Sequence, residues 1–261
     1  MRIWAVANQK GGVGKTTTAV TLAGLLSQQG HRVLLVDMDP HGSMTSYMGY
    51  DPEGDGSSLY SLFHGGSGSA SEMIRETKFE NISIFTASTA LATLDRQLGA
   101  QDGKGLVIAR GLEQVSDDYD YALLDCPPTL GVLMVNALAA CHYLVVPVQS
   151  EFLALKGLER MMRTIAMMNH ARMTPIPYLI VPTLFDRRTR ASGQALENME
   201  ERYPQTLWNG IIPVDTQFRE ASRAGSPVSL LSPRSRGAIA YSELLRDVLL
   251  LDEPDLKVEM G

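Results

Sequence analysis

Cysteine and long apolar runs are scarce in this sequence. Only two cysteines, Cys126 and Cys141, occur among the 261 residues. Two cysteines are too few for a disulfide framework, and this usage is typical of a reducing compartment. No apolar run is long enough to cross a bilayer, and the first residues lead directly into a strand-like run instead of a signal peptide. We therefore expect a cytoplasmic protein without membrane insertion.

Positive charge is also in deficit. Lys and Arg number 23 against 29 Asp and Glu, which gives a formal net charge of -6. This balance argues against a basic footprint over the whole chain, although it allows a local basic patch. The remaining composition is that of a globular protein, with 44% hydrophobic and 20% charged residues. The length suffices for one large domain with a sizeable core.

Apolar runs with strand character alternate with helical patterns along the chain. The predicted strands cover residues 2–7, 32–37, 81–85, 119–125, 142–148, 178–182 and 208–213. The alternation predicts an α/β fold, with a doubly wound, mainly parallel sheet flanked by helices. Ligands are then expected at the carboxyl ends of the strands. We expect a single domain over residues 1–251 and an acidic tail over residues 252–261.

A glycine-rich loop separates the first predicted strand from the first helical pattern. Residues 9–18 read QKGGVGKTTT. The glycines allow a tight turn that points backbone N–H groups inward, and the helix that starts near Lys15 adds its positive dipole end. Lys15 supplies an ammonium group for the β- and γ-phosphates, and the Thr16 hydroxyl is placed to coordinate Mg²⁺. The loop therefore predicts a phosphate-binding site, whereas an ordinary glycine-rich turn would not require Lys and Thr at these positions.

Lys10 departs from the common phosphate-loop pattern. Gln9 stands where G-x-x-x-x-G-K-[ST] has its first glycine, and Lys10 opens the run KGGVGKTT. An extra cation beside a triphosphate neutralises charge that develops in phosphoryl transfer; the alternative is a solvated loop lysine. The run resembles the deviant Walker motif of the ParA/MinD family. This resemblance implies that Lys10 is a signature lysine that reaches the partner subunit's nucleotide in a dimer.

Three carboxylates follow predicted strands at the edge where the loop lies. Asp125 ends an apolar strand, as a Walker B aspartate that holds Mg²⁺ does; the alternative is a capping or turn aspartate. Asp37 and Asp39 stand two residues apart, so that both could face one side, one near the Mg²⁺ shell and the other at the attacking water. The second acid of this D-x-D matches the hydrolytic position of the ParA/MinD family. The resemblance thus implies that Asp39 activates water, and Asp37 is the second candidate.

The chain resembles ParA/Soj-type ATPases of the ParA/MinD group over nearly its full length, with matching stretches at residues 8–18, 33–40, 124–128, 146–149, 155–158 and 233–238. The resemblance implies a P-loop NTPase fold of the SIMIBI type and a nucleotide switch. In that switch ATP closes a homodimer, the dimer binds a surface, and a partner protein stimulates slow hydrolysis. The expected catalytic residues are Lys10, Lys15, Asp37 and Asp39. The expected nucleotide contacts are Lys10, Gly11, Gly12, Val13, Gly14, Lys15, Thr16, Thr17 and Pro213, and the expected metal ligands are Thr16, Asp39 and Asp125.

The positions at which relatives contact nonspecific DNA are only partly basic here. Val214, Gln217 and Ser226 stand where DNA-binding family members usually carry basic residues. Arg188 does match a family DNA-contact position, and Arg187 and Arg219 are further candidates. Scattered solvated arginines are an equally good explanation of this charge pattern. We expect DNA binding that is weak, nonspecific and strongly salt-sensitive at best.

Two kinds of function remain open at this stage. The runs 39–46 and 185–189 resemble a ParC-type branch whose members position chemoreceptor arrays, so the cargo is either a protein cluster or plasmid or chromosomal DNA. The alternative is a MinD-group ATPase that acts on a small substrate or cycles on a membrane, since fold does not fix function. The last helix lacks the basic amphipathic end that binds anionic lipid, and no paired cysteine ligands occur, so we favour the positioning ATPase.

Overall fold

Seven strands form one sheet in the order β3-β4-β2-β5-β1-β6-β7. The computed structural model describes residues 1–54, 58–63, 69–98 and 104–252. Six strands are parallel, and β3 pairs antiparallel with β4 at one edge. The strands are β1 (Arg2–Val6), β2 (Val33–Asp37), β3 (Ile74–Glu76), β4 (Ile82–Phe85), β5 (Tyr121–Asp125), β6 (Tyr143–Gln149) and β7 (Tyr178–Thr183).

Helices cover both faces of this sheet. The longer helices are α1 (Lys15–Gln28), α5 (Leu91–Leu98), α6 (Val107–Glu113), α7 (Val132–Ala140), α8 (Phe152–His170), α9 (Arg190–Arg202), α10 (Gln217–Ala224) and α12 (Arg236–Asp252). The short helices are α2 (Ser43–Tyr47), α3 (Leu59–Phe63), α4 (Ala70–Met73) and α11 (Val228–Leu231), with a 3₁₀ turn at Lys104–Leu106. Among the described residues, no helix has both the length and the hydropathy that a membrane span requires.

The pleat of the strands divides the core into two layers. Successive residues of β1 point to opposite faces, so Ala5 packs in the layer under α7 and α8 while Trp4 and Val6 pack in the layer under α1 and α12. Because helices cover both faces of the central strands, the residues of these strands are almost all apolar and buried. The predicted doubly wound, mainly parallel fold is confirmed.

The structure corrects the sequence analysis at three places. Residues 208–213 form no strand; isolated bridges join Leu207 to Ile180 and Pro213 to Phe185, and proline has no N–H with which to continue a ladder. The sequence pattern also missed β3, α9 and α10. Asp252, predicted as the first residue of the tail, instead ends α12 in a buried position and accepts a hydrogen bond from Trp4 Nε1 at 2.7 Å. The rest of that predicted tail, residues 253–261, lies outside the described residues.

Candidate nucleotide site

The glycine-rich loop joins β1 to α1 at the carboxyl edge of the sheet. Gly14 precedes α1 with φ 90°, and no side chain caps the first turn of that helix. A residue with a Cβ would be strained there, whereas glycine accepts this backbone. The Thr183 hydroxyl donates a hydrogen bond to the Val13 carbonyl at 2.8 Å and ties the loop to β7. The uncapped N–H groups of α1 therefore remain available to an anion.

The two lysines of the loop have different partners. Lys15 is almost fully buried, and its Nζ donates to the Lys10 carbonyl at 3.2 Å. The Lys10 side chain turns away from that point: its Nζ donates to Gln149 Oε1 at 3.0 Å and also pairs with the Glu151 carboxylate. Lys15 thus spans the inside of the loop, while Lys10 is held by residues at the end of β6 and the start of α8.

Thr16 and Asp125 meet directly below the loop. The Thr16 hydroxyl donates to Asp125 Oδ2 at 2.5 Å, and the buried Asp125 Oδ1 has no hydrogen-bond partner in the described chain. Asp37 lies beside Asp125, because these two residues are register partners at the ends of β2 and β5. Burial, and then the neighbouring Asp37 charge, raise the pKa of Asp125 to about 8. The nearby Lys15 charge acts in the opposite direction but does not offset the effect of burial.

Asp37 and Asp39 have separate surroundings, although they are two residues apart. Asp37 is fully buried; its Oδ2 accepts from the Thr45 N–H and hydroxyl, both at 2.7 Å, and its Oδ1 accepts from the Asp39 N–H at 3.2 Å. Burial raises the pKa of Asp37 to about 6 despite these hydrogen bonds. Asp39 is only partly buried, and its Oδ1 accepts from the His41 N–H at 3.0 Å. Asp37 therefore anchors α2, and Asp39 faces the open site.

A cavity of about 880 Å³ lies over the loop. Five residues of the predicted site do not line this cavity, and their roles stay predictions. These are Asp37, Asp125, Lys10, Val13 and Pro213. The sequence gives only a weak indication of the further lining residues, since they come from four separate loops and two helices that sequence spacing does not bring together. The lining residues are Gly11, Gly12, Gly14, Lys15, Thr16, Thr17, Asp39, His41, Ser43, Pro128, Leu184, Val214, Asp215, Thr216, Phe218, Arg219, Ser222 and Arg223.

The structure separates the arginines that were predicted as DNA contacts. Arg187 and Arg188 line a second cavity of about 750 Å³, together with Pro213, and Arg219 lines the cavity over the loop. Arg188 is bound to Asp186 through two side-chain hydrogen bonds of 2.9 and 2.8 Å, which lower the pKa of Asp186 to about 2. The loop at residues 214–216 is shared by both cavities. Arg187 and Arg188 thus line one cavity and Arg219 lines the adjacent one, and their role as DNA contacts stays a prediction.

The side chains near the loop offer few ligands for a metal ion. Within the described residues, His, Cys, Asp and Glu side chains form no cluster of three or more that could hold a metal ion by themselves. The free Asp125 Oδ1 and the Thr16 hydroxyl nevertheless offer hard oxygen donors of the kind that Mg²⁺ takes, and Mg²⁺ completes such sites with water and phosphate oxygens. The residues present thus fit a magnesium ion that arrives with a nucleotide.

This fold and this loop define a P-loop nucleotide-binding protein. A family model described as AAA domain matches residues 1–176. The chain is 36% identical to the sporulation initiation inhibitor protein Soj of Bacillus subtilis, over 95% of this chain and 98% of that protein. It is 34% identical to the chromosome partitioning protein ParA of Caulobacter vibrioides, over 95% and 94%. The chain therefore belongs to the ParA/Soj family of ParA/MinD-type ATPases.

Solved structures agree with this assignment. A structure of cobyrinic acid a,c-diamide synthase from Mycobacterium smegmatis, with bound ATP analog and magnesium, is 34% identical, with a TM-score of 0.83 over 95% of this chain and 94% of that one. Apo McdA of Cyanothece has a TM-score of 0.86 at 22% identity, covering 95% and 99%. The second likeness shows the fold alone. The resemblance read from the sequence is confirmed at the level of family and fold.

Proposed function

We propose that this protein is a ParA-like ATPase switch that binds ATP with Mg²⁺, dimerises, and hydrolyses ATP to position or partition a cargo. One observation carries the proposal: the loop with two lysines lies directly over Asp125 and beside Asp39 at the carboxyl edge of the sheet. Relatives named as partitioning proteins, and a relative solved with an ATP analog and magnesium, support it.

Binding is explained by the loop and the first turn of α1. The free N–H groups and Lys15 face the phosphates, since both line the cavity. Thr16 and Asp125 would hold Mg²⁺, and the bound ion would neutralise phosphate charge. One oxygen of the buried Asp125 carboxylate has no hydrogen-bond partner in the described chain. Burial also raises the pKa of this carboxyl group. A cation beside it therefore favours the ionised form that a metal ligand needs.

Asp39 is the best-placed group to position the attacking water. Its Oδ1 is held by the His41 N–H and ring, and its Oδ2 makes no hydrogen bond within the described chain. That oxygen is open to the cavity and can accept a proton of a bound water. Phosphoryl transfer needs positioning of the attacking water more than strong basicity, so the placement of Asp39 carries this assignment.

Lys10 is assigned to the partner subunit's nucleotide. It does not line its own cavity, and Gln149 and Glu151 hold it at the end of β6. A lysine that is kept out of its own site has no direct role there before dimerisation. In the proposed dimer Lys10 leaves these partners and contacts the other subunit's phosphates, which makes the site complete only when two copies meet.

The cargo is a protein cluster such as a chemoreceptor array, or DNA. The first is favoured by the resemblance to the ParC-type branch and by the three absent basic residues at 214, 217 and 226. The second candidate function, an ATPase that acts on a small substrate, is favoured by the relative solved as a cobyrinic acid a,c-diamide synthase. ATPase rates with DNA, with candidate partner proteins and with small acids separate these functions.

The switch is tested by light scattering with a nonhydrolysable ATP analogue. The wild-type protein should change from monomer to dimer when the analogue is added. Asp39→Ala should form the dimer with ATP itself and retain it, since hydrolysis is lost while binding persists, and its ATPase rate should fall at least about 100-fold.

Asp118→Ala is the control, because Asp118 is an exposed acid at the opposite end of the sheet. It should hydrolyse ATP and cycle as the wild type does. A protein that stays monomeric throughout, or a dimer that ignores nucleotide, would refute the switch. If Asp39→Ala hydrolyses at the wild-type rate, water activation belongs to another residue.

A further inference from the structure

Helix α10 forms one wall of the cavity over the loop. Four of its eight residues line that cavity, and their spacing places them on one helix face. On the opposite face Ala221 packs against Val228 and Ala238, and Phe218 also packs against this cluster. The four lining residues are Phe218, Arg219, Ser222 and Arg223. Two guanidinium groups, four positions apart, therefore face the same space as Lys15.

Within the described residues, the side chains of these two arginines have no anionic partner. Neither the Arg219 nor the Arg223 side chain forms a hydrogen bond or salt bridge there, whereas the side chains of Arg2, Arg32 and Arg188 each pair with an aspartate. Like charges at this spacing on a helix are destabilising. The arrangement is thus an unbalanced positive pair in a chain whose net charge is -6.

The acids of the same cavity do not balance that pair. Asp215 is engaged at both oxygens, with Oδ1 accepting from the Gln217 N–H and Oδ2 from the Gly237 N–H, each at 3.0 Å. Asp39 is bound by His41. With Lys15, the cavity holds three full positive charges against these two acids. A polyanion is the ligand that this charge distribution fits.

The position of α10 is fixed at both ends. Asp215 joins its start to the first turn of α12 through Gly237. At its end, Lys78 Nζ donates to the Ala224 carbonyl at 3.0 Å, and the Tyr47 hydroxyl of α2 donates to the Ser226 carbonyl at 2.9 Å. The Arg223 end of α10 therefore docks on α2, whose first residue also lines the cavity near Asp39. Arg219 lies one turn closer to Val214.

We propose that Arg219 and Arg223 bind the phosphates of the nucleotide in their own subunit, across the cavity from the glycine-rich loop. The proposal rests on the proposed function, in which the ligand is ATP. Arg223 lies toward the Asp39 side and contacts the terminal phosphate, and Arg219 contacts the inner phosphates. Arg219 is then a nucleotide-binding residue and not a DNA contact. Loss of Arg223 should therefore weaken ATP binding more than ADP binding, whereas loss of Arg219 should weaken both.

Isothermal titration calorimetry with Mg·ATP and Mg·ADP tests this assignment on the full chain. Arg223→Gln should weaken ATP binding about 10-fold and ADP binding less than about 3-fold, since a charge-assisted contact to the last phosphate is lost. Arg219→Gln should weaken both nucleotides about 10-fold. Arg219→Lys and Arg223→Lys keep the charge and should recover part of the loss.

Two controls separate the contact from a disturbed helix. Glu220→Gln changes a charge on α10 outside the cavity, and Arg187→Gln removes an arginine from the second cavity; both should bind nucleotides as the wild type does. Wild-type ATP affinity in Arg219→Gln and Arg223→Gln overturns this proposal alone and leaves the switch standing. A wild-type protein that binds neither nucleotide overturns the proposal and the proposed function together. Weaker DNA binding with unchanged ATP binding in Arg219→Gln assigns that residue to DNA and also overturns the proposal.

Discussion

The acids buried below the glycine-rich loop and the arginines across the cavity above it have different surroundings. Below the loop, Asp37 and Asp125 are fully buried, and Thr16 is bound to one of them at 2.5 Å. Across the cavity, Arg219 and Arg223 are exposed, and their side chains have no hydrogen-bond or ion-pair partner among the described residues. The sheet and side-chain hydrogen bonds hold the buried acids in place, whereas no such contact holds the two arginine side chains.

The buried acids therefore affect mainly the stability of the fold, whereas the exposed arginines affect mainly the selectivity of ligand binding. Buried carboxylates beside each other destabilise the fold, because burial and mutual repulsion disfavour their charge. The sheet tolerates them at the place where a metal ion and a triphosphate would neutralise them. Exposed arginines cost the fold little and contribute only to a bound state. Changes below the loop should therefore have large effects, and changes on the arginine side smaller and more selective ones.

Lys15→Ala should give the largest effect. Lys15 is the buried cation of the loop, and its loss removes the charge-assisted contact to the phosphates. We expect ATP affinity to fall at least about 100-fold, the upper range for a hydrogen bond to a charged group. Calorimetry measures it. Lys156→Ala, an exposed lysine on α8, should bind normally. Near-normal affinity in Lys15→Ala would show that the phosphates lie elsewhere.

Asp125→Asn should give the next largest effect, and it acts on stability. The folded-state pKa values of Asp37 and Asp125, about 6 and about 8, lie above the ordinary value of 3.8. Folding thus favours their protonated forms, so their stabilising contribution is complete below about pH 4 and is lost as the pH rises toward 8. In chelator and without nucleotide, Asp125→Asn should raise the free energy of unfolding at pH 8 by at least about 1.4 kcal/mol, the equivalent of one pKa unit.

Asp37→Asn is the matched variant for Asp125→Asn, because it removes the neighbouring buried charge. Asp37 accepts three hydrogen bonds, two of them from Thr45, so an asparagine there would face backbone and hydroxyl donors with its own amide. Asp37→Asn should therefore gain no stability at pH 8, although the same charge is removed. Urea unfolding from pH 5 to pH 8 measures both variants. If the free energy of unfolding of the wild type does not change from pH 5 to pH 8, neither buried acid destabilises the fold.

The sequence predicted the parts of the site that depend on local spacing. Gly14, Lys15 and Thr16 follow from one strand, one turn and one helix, and the buried end of β5 identified Asp125. The separation of Asp37 from Asp39 was not predictable, because a period of two holds only while the backbone stays extended, and here the chain turns into α2 after Gly42. The wall formed by α10 depends on its docking to α2 and α12. These contacts join residues 179 and 22 positions apart in sequence, which no local pattern encodes.

DNA binding should be the smallest effect and the most sensitive test of the arginine side. Arg188 is exposed, but Asp186 already binds its guanidinium in two places. That pairing leaves little net charge for a phosphate, and the net charge of -6 adds repulsion at long range. We expect Arg188→Glu to reduce nonspecific DNA affinity only about 2- to 3-fold at low salt, as one phosphate contact would, and to have no effect at physiological salt.

Gel shifts across a salt series, with ATP and without it, measure this effect, and Arg160→Glu on the exposed face of α8 is the control for charge alone. Equal losses in both variants would mean that only the overall charge is sensed. Tight binding that survives physiological salt and disappears in Arg188→Glu would contradict the expectation. In that case the Asp186 pairing must open on contact with DNA, and the second cavity, not a protein partner, would select the cargo.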